Sequence, residues 1–291
     1  MAAFYYSRQF NIPARIAFPV AVAFLLEISL YAGMQILPWT APLLWASASA
    51  SYLIYSIPTG MFHWQGLLLL AALTGLAVAW MRHVPAGLAS DLAFLALFPA
   101  VYVGKVLHGI YVEPWPKVQT EALATLVCFR LAVTCLLLYR SHDELNFGFI
   151  PTVTDFRIGL RNFLYLLPVV ALLNWLLAAR AFRLAPDFWW RAPLIFIAFL
   201  WVVGLAEECL FRGLLLHRLR AIMNPAAALV ASSLAFGMAH LWFPPFPNWK
   251  FVILASVAGL FYGRAYLDAR SVRAAMVAHA LTVAGMRTFL A

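Results

Sequence analysis

Hydrophobic positions along this chain gather into long unbroken runs, not into the alternation of a strand or the single stripe of a soluble helix. Runs of roughly 17 residues or more, enough to cross a bilayer as a helix, occur at about 14–36, 41–57, 64–81, 88–106 and 121–139. A second series follows at about 162–179, 192–216, 225–241, 250–267 and 272–290. The 41–57 run is short and serine-rich, and the 121–139 run contains Arg130, so each predicts a re-entrant or partly cavity-facing helix instead of a full span. Between the two series, RSHDELNFGFIPTVTDFRIGLR at 140–161 is polar and holds Gly148, Pro151 and Gly159. That pattern predicts a loop with a short interfacial helix. It divides the chain into N-terminal membrane helices, 1–139, and a C-terminal core, 140–291. The expected fold class is all-α, a polytopic membrane bundle of about eight to ten helices, and no internal repeat is visible. Pro193 and Pro225 fit first helical turns, and the linker WFPPFPNW at 242–249 predicts an extended interfacial segment.

Composition turns this pattern into a membrane assignment. Of 291 residues, 65% are hydrophobic and 11% charged, with a mean hydropathy of +0.88; the charged share is less than half that of an average soluble domain. The net charge of +9 would suggest nucleic acid in a soluble protein, but here the basic residues stand mostly at the ends of apolar runs. Their partner is membrane lipid, and no nucleic acid is expected. Arg157 with Arg161, Arg218 with Arg220, and Arg264 with Arg270 and Arg273 agree on one side, which the positive-inside rule makes cytoplasmic. Strict alternation back to the N-terminus would put Arg8 and Arg15 on the other side, so one upstream run is expected not to span. Trp189, Trp190, Trp242 and Trp249 then mark the non-cytoplasmic interface. The segment before the first run lacks a signal-peptide cleavage pattern. Cys128, Cys135 and Cys209 lie inside apolar runs and read as small core residues. A multi-pass membrane location follows, the inner membrane in a bacterial source.

Against this apolar background, ionisable side chains in the C-terminal runs are candidate chemistry. Glu207 and Glu208 are adjacent in WVVGLAEECLFRGLLLHRLR at 201–220, and Arg212 is four residues beyond Glu208. On a helix Glu208 and Arg212 share a face and can pair, while Glu207 points about 100° away and stays free. His240 ends LAFGMAH and His279 lies in MVAHALTV, each on its own run. One carboxylate with two histidines is a minimum set for activating water, by general-base chemistry or on a divalent metal. Each histidine alone reads more readily as a satisfied core residue than as a catalyst. Outside this group, Glu27 and Arg130 are expected to pair or snorkel, and His63, His83, His108 and His142 to lie at the interface.

The ordered set EECLFR at 207–212, FGMAH at 236–240 and the histidine of HALTV at 279–283 resembles the CPBP family, the CAAX proteases and bacteriocin-processing enzymes. The resemblance covers roughly 140–290; a weaker one points to the CAAX-protease-related proteins that accompany exosortase systems. It implies an intramembrane endopeptidase of the type II CAAX prenyl protease kind, acting on a membrane-associated peptide or protein. By the same resemblance Glu207 is the base that activates water, His240 its partner, and His279 the stabiliser of the oxyanion. Glu208 and Arg212 would hold the site together, and Phe236 would pack the His240 imidazole. The family's third motif is H-x-x-x-N, whereas here the fourth position is Val283. Thr282, on nearly the same face as His279, and Asn174 on an earlier helix are the replacement donors considered. No H-E-x-x-H occurs and no cofactor is expected; zinc held by Glu207, His240 and His279 is the alternative. A non-proteolytic membrane partner or chaperone of the same fold is the runner-up, and a transporter the third reading.

Overall fold

A computed structural model of the protein describes residues 12–35, 37–104, 106–116, 118, 120–140, 148–177, 184 and 186–289. It is 81% helical, and no strand occurs among the described residues. Six helices are long and apolar enough to cross a membrane, so the protein is an all-α multi-pass membrane protein. The chain falls into two compact units, Met1–His142 and Asp143–Ala291. Arg8 and residues 141–147 of the expected 140–161 loop, His142 among them, lie outside the described residues.

The N-terminal unit contains α1 (Ala14–Ala32), α2 (Ala41–Thr59), α3 (Trp64–His83), α4 (Leu88–Val103), α5 (Val106–Ile110) and α6 (Thr120–Tyr139). Of the two suspect runs, α6 is among the six potential spans and α2 is not. The serines of α2 and the arginine of α6 explain one another. Arg130 and Glu27 form an ion pair with both side chains fully buried. Ser51 Oγ donates to the Glu27 carboxylate at 2.8 Å, and Arg130 donates to Ser47 Oγ at 3.0 Å. The polar positions of three apolar helices thus close on themselves, as buried charge must.

The C-terminal unit contains α7 (Val153–Leu176), α8 (Phe188–Leu219), α9 (Pro225–Met238), α10 (Trp249–Ala269) and α11 (Val272–Phe289). Helix α7 corrects the expected loop and separate interfacial helix: from residue 153 onward it is one continuous helix. Its polar start is a capping box, in which the Thr152 hydroxyl accepts from the Asp155 N–H and the Asp155 carboxylate from the Thr152 N–H. Gly159 serves contact, not a turn: a Cβ there would stand 2.7 Å from the Ala274 carbonyl and the Val277 Cβ of α11. Pro225 follows an Asn224 cap as expected, but α8 begins at Phe188, so Pro193 lies inside it. The 242–249 linker also differs from an extended form, because its chain turns back and the Asn248 N–H donates to the Leu241 carbonyl at 3.0 Å.

Contacts set the helix directions. Arg161 and Arg264 both reach Asp268, and Arg273 pairs with Asp155 at 3.2 Å, so α7 starts, α10 ends and α11 starts at one basic end. A Cβ on Gly263 would stand 2.3 Å from Leu229 Cδ1, which brings the start of α9, just after Arg218 and Arg220, to that end as well. Trp189, Trp242, Phe246 and Trp249 are exposed on the segments that the same directions carry to the other end. Glu207 and Glu208 stand in the middle third of α8, between these boundaries.

Candidate active site

Helix α8 is α-helical around the glutamates only over Leu205–Glu208. On either side, Phe199–Gly204 and Cys209–Leu216 are wound as π-helix. Such widened turns occur mostly as short bulges, frequently at functional sites. The hydrophobic pattern of 192–216 contains no trace of them.

The two adjacent carboxylates meet different surroundings. Glu208 is fully buried, with Arg212 Nη1 at 3.1 and 3.0 Å from its two oxygens. Arg212, equally buried, also donates to the Gly259 carbonyl of α10 at 3.0 Å. Its guanidinium carbon stands 4.5 Å from the Phe236 ring centre and 5.5 Å from that of Tyr262, within cation–π range. The expected pairing of Glu208 with Arg212 is therefore present. Glu207 keeps a fifth of its side-chain surface exposed.

Helix α11 adds His279 to this pair. Its Nδ1 is 2.8 Å from Glu208 Oε1, and its Nε2 is 3.9 Å from Glu207 Oε2. A carboxylate only accepts, so a charged Glu208 assigns the proton to Nδ1. The imidazole is walled on two further sides. Tyr262 of α10 stacks on it, with centroids 4.7 Å apart and planes 13° apart, and Phe236 of α9 meets it edge-on at 5.7 Å and 89°.

His240, just past the end of α9, sits among Phe236, Phe251 and Phe243, with ring centres 4.8, 5.0 and 5.1 Å away. Its Nδ1 lies 2.8 Å from the Phe236 carbonyl oxygen, which again fixes the proton on Nδ1 and leaves Nε2 as the acceptor of the neutral ring. Phe236 therefore touches both histidines, one more than the sequence suggested. Ser232 ties α9 to α8 through the Phe211 carbonyl at 2.9 Å. Thr282 departs from expectation. Its hydroxyl donates to the Ala278 carbonyl of its own helix at 2.8 Å, so its proton is engaged by the backbone, a habit of threonine in helices. Asn174 is buried on α7 and already engaged by another residue. Among the described residues no three His, Cys, Asp or Glu side chains are grouped as a metal site would need. Sequence reasoning missed Tyr262 and the Gly259 carbonyl; the only signal was the Gly259, Tyr262, Gly263, Tyr266 face of the 250–267 run.

Residues 189–285 match the family model described as Type II CAAX prenyl endopeptidase Rce1-like. The match takes in Glu207, Glu208, Arg212, Phe236, His240, Tyr262 and His279, and covers about a third of the chain. No curated protein and no solved structure matches the chain. The resemblance read from the three motifs is thereby supported over that segment: the chain is a multi-pass membrane protein whose residues 189–285 are similar to CAAX-protease-type domains.

Proposed function

We propose, taking the CAAX-protease-type domain as premise, that the protein is an intramembrane endopeptidase that hydrolyses a peptide bond of a membrane-associated substrate. The observation that carries this is the contact chain Glu207, His279, Glu208, Arg212, in which only the first carboxylate is partly exposed. Glu207 takes a proton from water while His240 Nε2 accepts the other hydrogen and orients the nucleophile. The hydroxide equivalent attacks the scissile carbonyl, and the proton passes from Glu207 to the leaving amine. With His279 as the imidazolium, the four ionised groups of the chain sum to zero charge, so each buried charge has an opposite neighbour. Nε2–H is then the donor to the oxyanion.

We infer that this chemistry uses no metal. With His279 as the imidazolium both ring nitrogens carry protons, so neither has a lone pair to offer zinc. Activity resistant to chelator is expected, and loss on chelation with recovery on adding zinc would favour Glu207, His240 and His279 as ligands. Val283 and the engaged Thr282 hydroxyl favour one second reading, a non-proteolytic partner or chaperone of the same fold. Comparing membrane and secreted peptides of cells with and without the protein separates the two. New N-termini that depend on the protein support the protease; altered abundance with no changed terminus supports the partner.

A further inference from the structure

We propose that Tyr262 is a positioning residue for His279, its ring forming the wall that keeps Nε2 turned toward Glu207. The inference rests on the protease reading and adds a residue outside the three motifs that carry the resemblance. One hydrogen bond, from Nδ1 to Glu208 at 2.8 Å, fixes a point on the imidazole but not its plane. The terminal torsion of histidine is broad, so the plane must be set by what covers the faces. Tyr262 covers one, parallel within 13° at 4.7 Å, and Phe236 closes the perpendicular direction at 89°. An aromatic face beside an imidazole attracts it most when the imidazole is charged, the form assigned to the oxyanion donor above.

The position of Tyr262 is itself over-determined. It is 2% exposed, and Gly259 and Gly263 flank it on α10. A Cβ on Gly259 would meet Arg212 Nη2 at 3.1 Å, and one on Gly263 would meet Leu229 at 2.3 Å. Missing side chains thus let α10 approach α8 and α9 closely enough for the ring to reach His279. The ring, not the hydroxyl, makes the contact: the hydroxyl lies beside Thr282.

The test uses the full chain in lipid nanodiscs, labelled with nitrogen-15 histidine, with His279→Gln identifying the His279 signals. Wild type and Tyr262→Phe should show one sharp Nδ1–H resonance for His279, and Tyr262→Leu a broadened or split one. On a lipid-tailed, fluorescence-quenched peptide library as probe, kcat should fall about tenfold or more in Tyr262→Leu with KM within about twofold, since small misplacements of a reacting group cost up to about 100-fold. Tyr262→Phe should restore kcat. Should the leucine variant fail to fold, Tyr262→Met keeps most of the volume without the ring and replaces it. An unchanged His279 resonance in the ring-less variant overturns the proposal, as does a Tyr262→Phe defect equal to that of leucine. If wild type and Glu207→Gln behave alike on the probe, the protease reading fails instead, and the resonance still decides the role of Tyr262.

Discussion

Glu207 and Glu208 differ by a third of a helical turn, yet one is partly exposed and the other is locked between Arg212 and His279. Their variants should therefore fail differently. Removing one partner of a buried ion pair costs about 3–5 kcal/mol because the other charge is stranded. Glu208→Ala and Arg212→Ala should accordingly lower the thermal midpoint in detergent together with activity, and an unchanged midpoint in both would contradict the burial. The third motif gives a second residue-scale prediction. Thr282 has given its proton to Ala278, so Thr282→Val should change the hydrolysis rate less than about threefold, well short of the 100-fold or more lost with a true oxyanion donor. Val283→Asn places an amide one turn beyond His279 on the same face and should raise the rate. A silent Val283→Asn beside a crippling Thr282→Val would mean that the hydroxyl turns into the site during reaction.

The elements that hold these residues were unequally legible. The apolar runs located α8, α9, α10 and α11 to within a few residues, because length and hydropathy are local properties. The π-wound turns on either side of Leu205–Glu208 had no signature, since helical winding depends on which neighbours press on a helix. Gly159 misled for a related reason. A glycine in a stretch rich in polar residues reads as a turn, and only the approach of Ala274 and Val277 shows that it is a contact. Gly159→Val should therefore push α7 from α11 and destabilise the C-terminal unit by about 1–3 kcal/mol, the usual cost of overpacking, as read by thermal unfolding. A neutral valine would show that the two helices have slack. Likewise, the partners of Arg130 could not be named from its own run, because Glu27 and Ser47 lie far away in sequence and meet it only in the folded unit.

For the molecule as a whole, the arginines that define orientation also hold one end together, through Arg161, Arg264 and Asp268 and through Arg273 and Asp155. Positive residues at one end predict that a cysteine introduced as Arg220→Cys reacts with an impermeant maleimide only from the cytoplasmic side, and Trp242→Cys only from the opposite side. The native cysteines are buried and leave a low background; the reverse labelling pattern would invert the topology. Membrane character, helix order and the glutamate and histidine positions were thus readable from sequence, whereas the link of His279 to both glutamates needed α8 and α11 packed together. That link leads to hydrolysis only if Glu207 is the base. The most direct measurement is the cleavage rate of a lipid-tailed peptide by Glu207→Gln in liposomes, beside wild type, with thermal midpoints compared. A fall of about 100-fold or more, in the range set by general-base catalysis, with an unchanged midpoint is the predicted result, and cleavage at the wild-type rate by the folded variant would contradict the account.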